Sequence, residues 1–168
     1  TDLLILGFAE LVSEGFKPDL VLCGPDQTQG RLPRFIARLG LKKRIHVLGS
    51  VPPARINRLL SGCLYFVLPS RKENMPMALL EAMAAGKAVI ASNVGGVGAI
   101  IQDKKNGLLL PPQDVPALVQ AMRLLAQDAG LRQRLGRAAR ASAAKFQWPA
   151  VAARYAKLYR LSFAKIHS

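Results

Sequence analysis

Acidic residues are scarce in this chain, and residues 27–72 contain none while carrying ten Lys and Arg. Residues 129–168 add nine more basic residues, again with no acid, so 19 of the 24 Lys and Arg lie in two uncompensated stretches. Stripes of this kind favour phosphate-bearing partners, whether nucleotide, nucleic acid or anionic lipid headgroup. Aromatics make up only 6% of the chain and do not interleave with the basic residues. That weighs against a nucleic-acid partner, whose bases stack on aromatic side chains. Cysteine is limited to Cys23 and Cys63, each in apolar surroundings (VLCGP and SGCLYF). These read as buried thiols of a reducing compartment, not as a disulfide framework. No apolar run reaches the ~20 residues of a membrane span. The opening TDLLILGFAEL lacks the positive region and cleavage site of a signal peptide, so a cytoplasmic location is expected. Asp-x-Asp is absent, and no His/Cys/Asp cluster has ligand spacing, so the expectation is a site without metal or cofactor. His46, within a strand pattern, and His167, in the tail, read as packing or surface residues.

With 168 residues and 51% hydrophobic content, the chain can bury the core of a single domain spanning 1–168. Continuous apolar runs at 19–23, 45–49, 64–69, 88–92 and 107–110 read as strands. Between them lie helix-period segments. In 31–40, Leu32, Phe35, Ile36 and Leu39 form an apolar stripe opposite Arg31, Arg34 and Arg38. Segments 3–13, 54–62, 77–86, 115–127, 131–146 and 149–165 also read as helices. Short buried strands alternating with helices predict an α/β fold with a doubly wound, Rossmann-like parallel sheet. Such a sheet binds ligands at the carboxyl ends of its strands. Opening on a helix is unusual for this architecture, and a first strand is expected upstream of Thr1.

The most informative stretch is PSRKENMPMALLEAMAAGKAVIAS, residues 69–92, in which Glu73 and Glu81 stand eight apart. Pro76 suits a helix start, because its missing N–H would have no partner there. The N–H groups of Met77, Ala78 and Leu79 would then be open donors, which together with the helix dipole form an anion site suited to a pyrophosphate. Glu81 lies one turn deeper, and helical side chains lean toward the N-terminus, so its carboxylate can reach a neighbouring diol such as a ribose. Glu73 precedes the helix and can address another part of the ligand. Spacing alone favours two surface acids, with Glu81 paired to Lys87 or Arg71 and Glu73 solvated in its loop. A two-carboxylate glycoside hydrolase is the weaker reading, because a helix terminus favours an anion over a neutral sugar chain.

The same stretch, continued as NVGG, resembles the E-x7-E signature of retaining, nucleotide-sugar-dependent glycosyltransferases of the GT-B type, family 4 (group 1). LVLCGPD (20–26), IHVLGSV (45–51), NGLLLPP (106–112) and the closing helices with their Trp148 turn resemble further family segments in the same order. The resemblance covers nearly the whole chain and only the C-terminal, donor-binding half of the two-domain enzyme. It implies a partner N-terminal domain outside this chain and a UDP- or GDP-linked sugar as substrate. By this resemblance Glu81 binds the ribose hydroxyls, and Glu73, as the catalytic candidate, contacts the donor sugar near the reacting carbon. Met77, Ala78 and Leu79 offer amides to the diphosphate, and Ser50 and Val51 lie near the base. Gly24 lines the cleft by the phosphates, with Ser70 and Arg71 beside it. The chain departs from the family pattern in three places. The Arg and Lys usual near the start of this domain are not in it, Gly95-Gly96-Val97-Gly98-Ala99 lacks the common Pro and Glu, and Gly24-Pro25-Asp26 has one glycine where two are common. The implied function is glycosyl transfer, with an acceptor that a basic, membrane-facing surface would suit, such as a glycolipid or lipopolysaccharide precursor at the inner face of the membrane. A non-catalytic anion-binding module and a GT-B-fold nucleotide-sugar epimerase are the alternatives.

Overall fold

The computed structural model describes residues 1–26 and 28–166, apart from the side chains at 154, 157 and 160–166. Helix α1 (Asp2–Ser13) leads into strand β1 (Leu20–Cys23), followed by α2 (Arg31–Arg38), β2 (Ile45–Gly49), α3 (Pro53–Gly62) and β3 (Tyr65–Leu68). Then come α4 (Met77–Ala84), β4 (Ala88–Ser92), the short α5 (Val97–Ile100) and β5 (Leu108–Leu110). Helices α6 (Val115–Gln127), α7 (Ala129–Ala143) and α8 (Trp148–Ile166) close the chain, with a 3-10 turn at Ala144–Phe146 before the last. Asp114 and Asp128 cap α6 and α7, accepting from the Ala117 and Leu131 amides, which is why both helices start where their aspartates stand. The side chains of Arg154, Lys157, Arg160 and Lys165, expected to form a basic stripe on the last helix, and His167 lie outside the described residues.

Every strand pairing is parallel, as alternating strands and helices require. The strands are nevertheless divided into two sheets, β1-β2 and β3-β4-β5. β4 is central to the larger sheet and buried at all five residues. Its side chains alternate between two cores: Ala88 and Ile90 join Phe8 of α1 and Met122 of α6, whereas Val89 and Ala91 join Leu79 and Met83 of α4 and Ala139 of α7. That alternation covers the sheet on both faces. The smaller sheet is covered mainly on one face, where Leu20, Leu22 and Ile45 pack with Leu32 and Ile36 of α2. On its other face Val21 and Val47 are 41% and 40% exposed.

The NGLLLPP stretch, residues 106–112, is a structural device. Asn106 is buried, donates to the Ile100 carbonyl at 3.1 Å and to Ser142 Oγ at 3.0 Å, and accepts from the Gln102 amide at 2.7 Å. The NGLLLPP segment therefore ties the approach to β5 to α7 and takes no part in the cleft described next.

Candidate functional site

β1 and β3 do not pair with each other, yet both border one cleft of about 1310 Å³. Leu20, Val21 and Cys23 line it from β1, and Tyr65 to Leu68 from β3. At the carboxyl ends of the strands the same cleft is lined by Gly24, Ser50, Val51, Ser70 and Arg71, and by Ala78 and Glu81 of α4. Loops after three separate strands thus converge with one face of a helix. Glu73, Met77 and Leu79 are not among the lining residues.

Each feature has a local cause. Gly24 adopts φ +124° and its amide donates to the Gly49 carbonyl at 2.8 Å, so the chain leaves β1 through a conformation that only glycine takes readily. Asp26, two residues on, accepts from the Thr28 amide at 2.8 Å and the Gly30 amide at 3.2 Å. The Thr28 hydroxyl also donates to Asp26 and accepts from the Leu32 amide at 2.9 Å, which links the turn to the start of α2. That hydroxyl, followed by the backbone amides, holds the Asp26 carboxyl below its ordinary value, with burial opposing.

Helix α4 begins at Met77, with Pro76 buried as the residue before its first turn. The amides of Met77 and Ala78 have no hydrogen-bond acceptor among the described residues. Leu79 differs from expectation: its amide donates to the Pro76 carbonyl at 3.0 Å, because the first turn tightens, and its side chain is fully buried. Two amides, not three, remain open at this end. Glu81 follows Ala78 by three residues, on the same helix face, and is exposed to the cleft.

The bland alternative for Glu81 required a basic partner. Lys87 is engaged elsewhere: its Nζ donates to the Ser61 carbonyl at 2.7 Å and the Cys63 carbonyl at 3.0 Å, tying down the end of α3. Among the described residues, neither Glu81 nor Glu73 takes part in an ion pair. Two other acids are paired: Glu14 with Arg123, and Asp19, which lines the cleft beside β1, with Arg44 and His46. Glu73 is half-buried and accepts from the Ser70 hydroxyl at 2.7 Å, so its carboxylate is turned back toward the end of β3.

The cysteines differ from the sequence expectation. Cys23 is exposed and Cys63 half-buried, and both line the cleft. β1 is an edge strand facing open space, so its apolar neighbours do not cover the thiol. Desolvation raises both thiols above their ordinary value, with Arg55 countering at Cys23 and Lys87 at Cys63. Thr28, Arg58 and Lys72 also line the cleft and were not singled out in the sequence. Arg58 and Lys72 were visible there only as members of the acid-free basic stretch. Among the described residues no group of three or more His, Cys, Asp or Glu could hold a metal.

Known proteins resemble this chain over most of its length. Residues 1–142 match the family described as glycosyl transferases group 1. An alpha-D-kanosaminyltransferase from Streptomyces kanamyceticus is 31% identical over 153 residues, covering 90% of this chain and 40% of that protein. The solved sucrose-phosphate synthase from Thermosynechococcus elongatus superposes with a TM-score of 0.85 at 30% identity, covering 97% of this chain and 42% of that one. Anabaena HepE, solved in complex with UDP-glucose, superposes with a TM-score of 0.81 at 25% identity, covering 96% of this chain and 44% of that one. The fold is the Rossmann-like α/β half of GT-B enzymes, and the chain spans about 40% of the length of the relatives it matches.

Proposed function

The chain belongs to the glycosyl transferases group 1 family, and from that premise we propose that it is the donor-binding domain of a two-domain enzyme that transfers a sugar from a nucleotide diphosphate sugar with retention of configuration. The observation that carries this reading is the placing of an unpaired Glu81 one turn beyond the open Met77 and Ala78 amides, facing a cleft at the carboxyl ends of parallel strands. In this reading the diphosphate lies against those amides, where the helix dipole and the Arg71 guanidinium offset the charge that develops on the leaving group. Glu81 accepts hydrogen bonds from the ribose hydroxyls, and Ser50 and Val51 flank the base. Glu73, with one carboxylate oxygen held by the Ser70 hydroxyl, offers the other to the donor sugar, and the acceptor attacks from the face the diphosphate departs. HepE, bound to UDP-glucose in its structure, supports a uridine nucleotide as the first ligand to test.

An N-terminal domain that binds the acceptor completes the proposed enzyme, so this chain alone binds donor without turning it over. In this reading one further parallel strand between β1 and β3 would join the two sheets by pairing with both free edges. The basic stretches suit a lipid-linked acceptor at the inner membrane face. No helix among the described residues is long and apolar enough to cross a membrane, so contact with the bilayer is proposed as peripheral.

Calorimetric titration of the chain with UDP, GDP and ADP tests the donor reading directly. One nucleotide is expected to bind, and Glu81→Ala is expected to weaken it roughly tenfold or more, the cost of a lost hydrogen bond to a charged group. Binding of no nucleotide, or an unchanged affinity in Glu81→Ala, contradicts it.

A further inference from the structure

The turn between β4 and α5 presses its backbone against the loop that carries Glu73. Gly95 adopts φ +51°, and a Cβ built on it would stand 1.6 Å from the Glu73 carbonyl oxygen and 2.8 Å from the carbonyl carbon. A Cβ on Gly96 would stand 2.1 Å from the Asn74 carbonyl oxygen. The Gly96 amide donates to the Glu73 carbonyl at 3.4 Å. No side chain fits between these segments, and the atoms in the way are backbone, which cannot swing aside as a flexible side chain can. Any residue but glycine at 95 or 96 must force the turn and the 73–74 loop apart by about an ångström or more. Gly98, in the same turn, is a contrast: its Cβ would meet only the Asn93 side chain, at 2.9 Å.

We infer that Gly95 and Gly96 are positioning residues for Glu73: the turn after β4 sets where the Glu73 carboxylate sits, and thereby the contribution of the donor sugar to binding. Two anchors reach Glu73 from adjacent strands. Ser70, at the end of β3, holds the carboxylate through its hydroxyl, and Gly96, after β4, holds the backbone. β3 and β4 pair in register from Tyr65 with Ala88 to Leu68 with Ala91, so both anchors stand on one rigid ladder. β4 is buried throughout, which leaves the turn little freedom to follow the loop. The arrangement gives a physical reason for two adjacent glycines in a turn that carries neither a Pro nor an acid. This inference rests on the proposed role of Glu73 at the sugar; it assigns no new contact between the glycines and the ligand.

The test compares the affinity for UDP-glucose with that for UDP, because a merely structural defect lowers both alike. In the unmodified chain, UDP-glucose should bind more tightly than UDP, and Glu73→Ala should erase the difference, roughly a tenfold effect if one charged hydrogen bond is lost. Gly95→Ala and Gly96→Ala should erase it to the same extent while leaving UDP affinity within about twofold, and neither should add to the loss in a Glu73→Ala background. Gly98→Ala, with the same added methyl group, should keep the difference. Hydrogen exchange on the unmodified chain supplies a readout that survives if the alanine variants do not fold: UDP-glucose, but not UDP, should slow exchange of the Gly96 amide. Retention of the UDP-glucose preference in folded Gly95→Ala and Gly96→Ala, while Glu73→Ala loses it, would overturn the positioning role and leave the donor reading standing. Equal slowing of the Gly96 amide by both ligands would also overturn it. A Glu73→Ala chain that keeps the preference would sink the sugar-contact reading and this inference with it.

Discussion

The two sheets of this domain are built from similar apolar strands, yet they live in different environments. β4 has neighbours on both edges and helices on both faces, and every one of its residues is buried. β1 has one strand neighbour, its residues alternate between half-buried and exposed, and its free edge faces the cleft. The composition of LVLC and AVIAS does not explain the contrast; the number of neighbours does. A strand buries its side chains only when the layers above and below it are both present, and it satisfies its backbone only when both edges are paired. The cleft that holds the candidate site lies where these conditions lapse, beside the free edges of β1 and β3.

The contrast is broken most forcefully in the larger sheet. Ile90→Ala, at a fully buried position in the core shared with Phe8 and Met122, should cost about 2–5 kcal/mol, read as a shift of the denaturation midpoint. Val21→Ala, on the exposed face of β1, should cost well under about 1 kcal/mol in the same assay. One face of β1–β2 already shares a core with Phe8 and Ile90, so equal losses would mean that the other face, which carries Val21, is covered as well. A strand-length apolar peptide added to the chain should sharpen the comparison next. Amide exchange in β1 and β3, which each have a free edge, should slow when the peptide pairs there, whereas β4, already paired on both edges, should change little. Slowing in β4 equal to that in β1 and β3 would contradict the contrast between open and paired edges.

Smaller effects are expected from pH. Arg123 lowers the Glu14 carboxyl below its ordinary value, and Arg44, with His46, lowers that of Asp19. In each case the unfolded chain takes up its proton first as the pH falls. The stability these pairs supply is therefore present above the ordinary carboxylate range and lost as pH drops through the folded-state values. Melting curves recorded from neutral to acid pH should show the decline, and Glu14→Gln should flatten it. At the other extreme, burial pushes Tyr65, in the slot beside β1, up to about 12 from an ordinary 10.0, with Arg132 opposing. Its contribution is complete below the ordinary value and is lost as the pH rises through the folded one, so Tyr65→Phe should reduce the fall in melting temperature between pH 10 and 12.

Much of the fold was legible because its signals are local. The runs IHVLG and AVIAS lie in β2 and β4 within their expected bounds, and VPALVQAMRLLAQ is α6. Helix ends moved by one to three residues where a cap decided them: Asp128 starts α7 two residues before the expected Leu131, and the 3-10 turn takes its last residues. At the site, Gly24, Ser50, Val51, Ser70, Arg71, Ala78 and Glu81 share one cleft, although they come from four separate stretches of chain. Their meeting was expected only through the resemblance of the whole pattern to a family. The Leu79 amide went the other way, because whether a helix opens with a tight turn depends on the geometry of Pro76, which residue identity does not specify.

What the sequence determined by itself is the succession of strands and helices, the acid-free basic stretches, and a helix start at Pro76-Met77 with an acid one turn beyond. Periodicity, proline geometry and charge act over a few residues, so order along the chain is enough to read them. Only the tertiary structure decided which edges stay open, that Lys87 closes off α3 and Glu81 forms no ion pair among the described residues, and that Gly95 and Gly96 lie against the Glu73 loop. Those are meetings of residues some twenty or more positions apart, and packing chooses them among many that the same local signals allow.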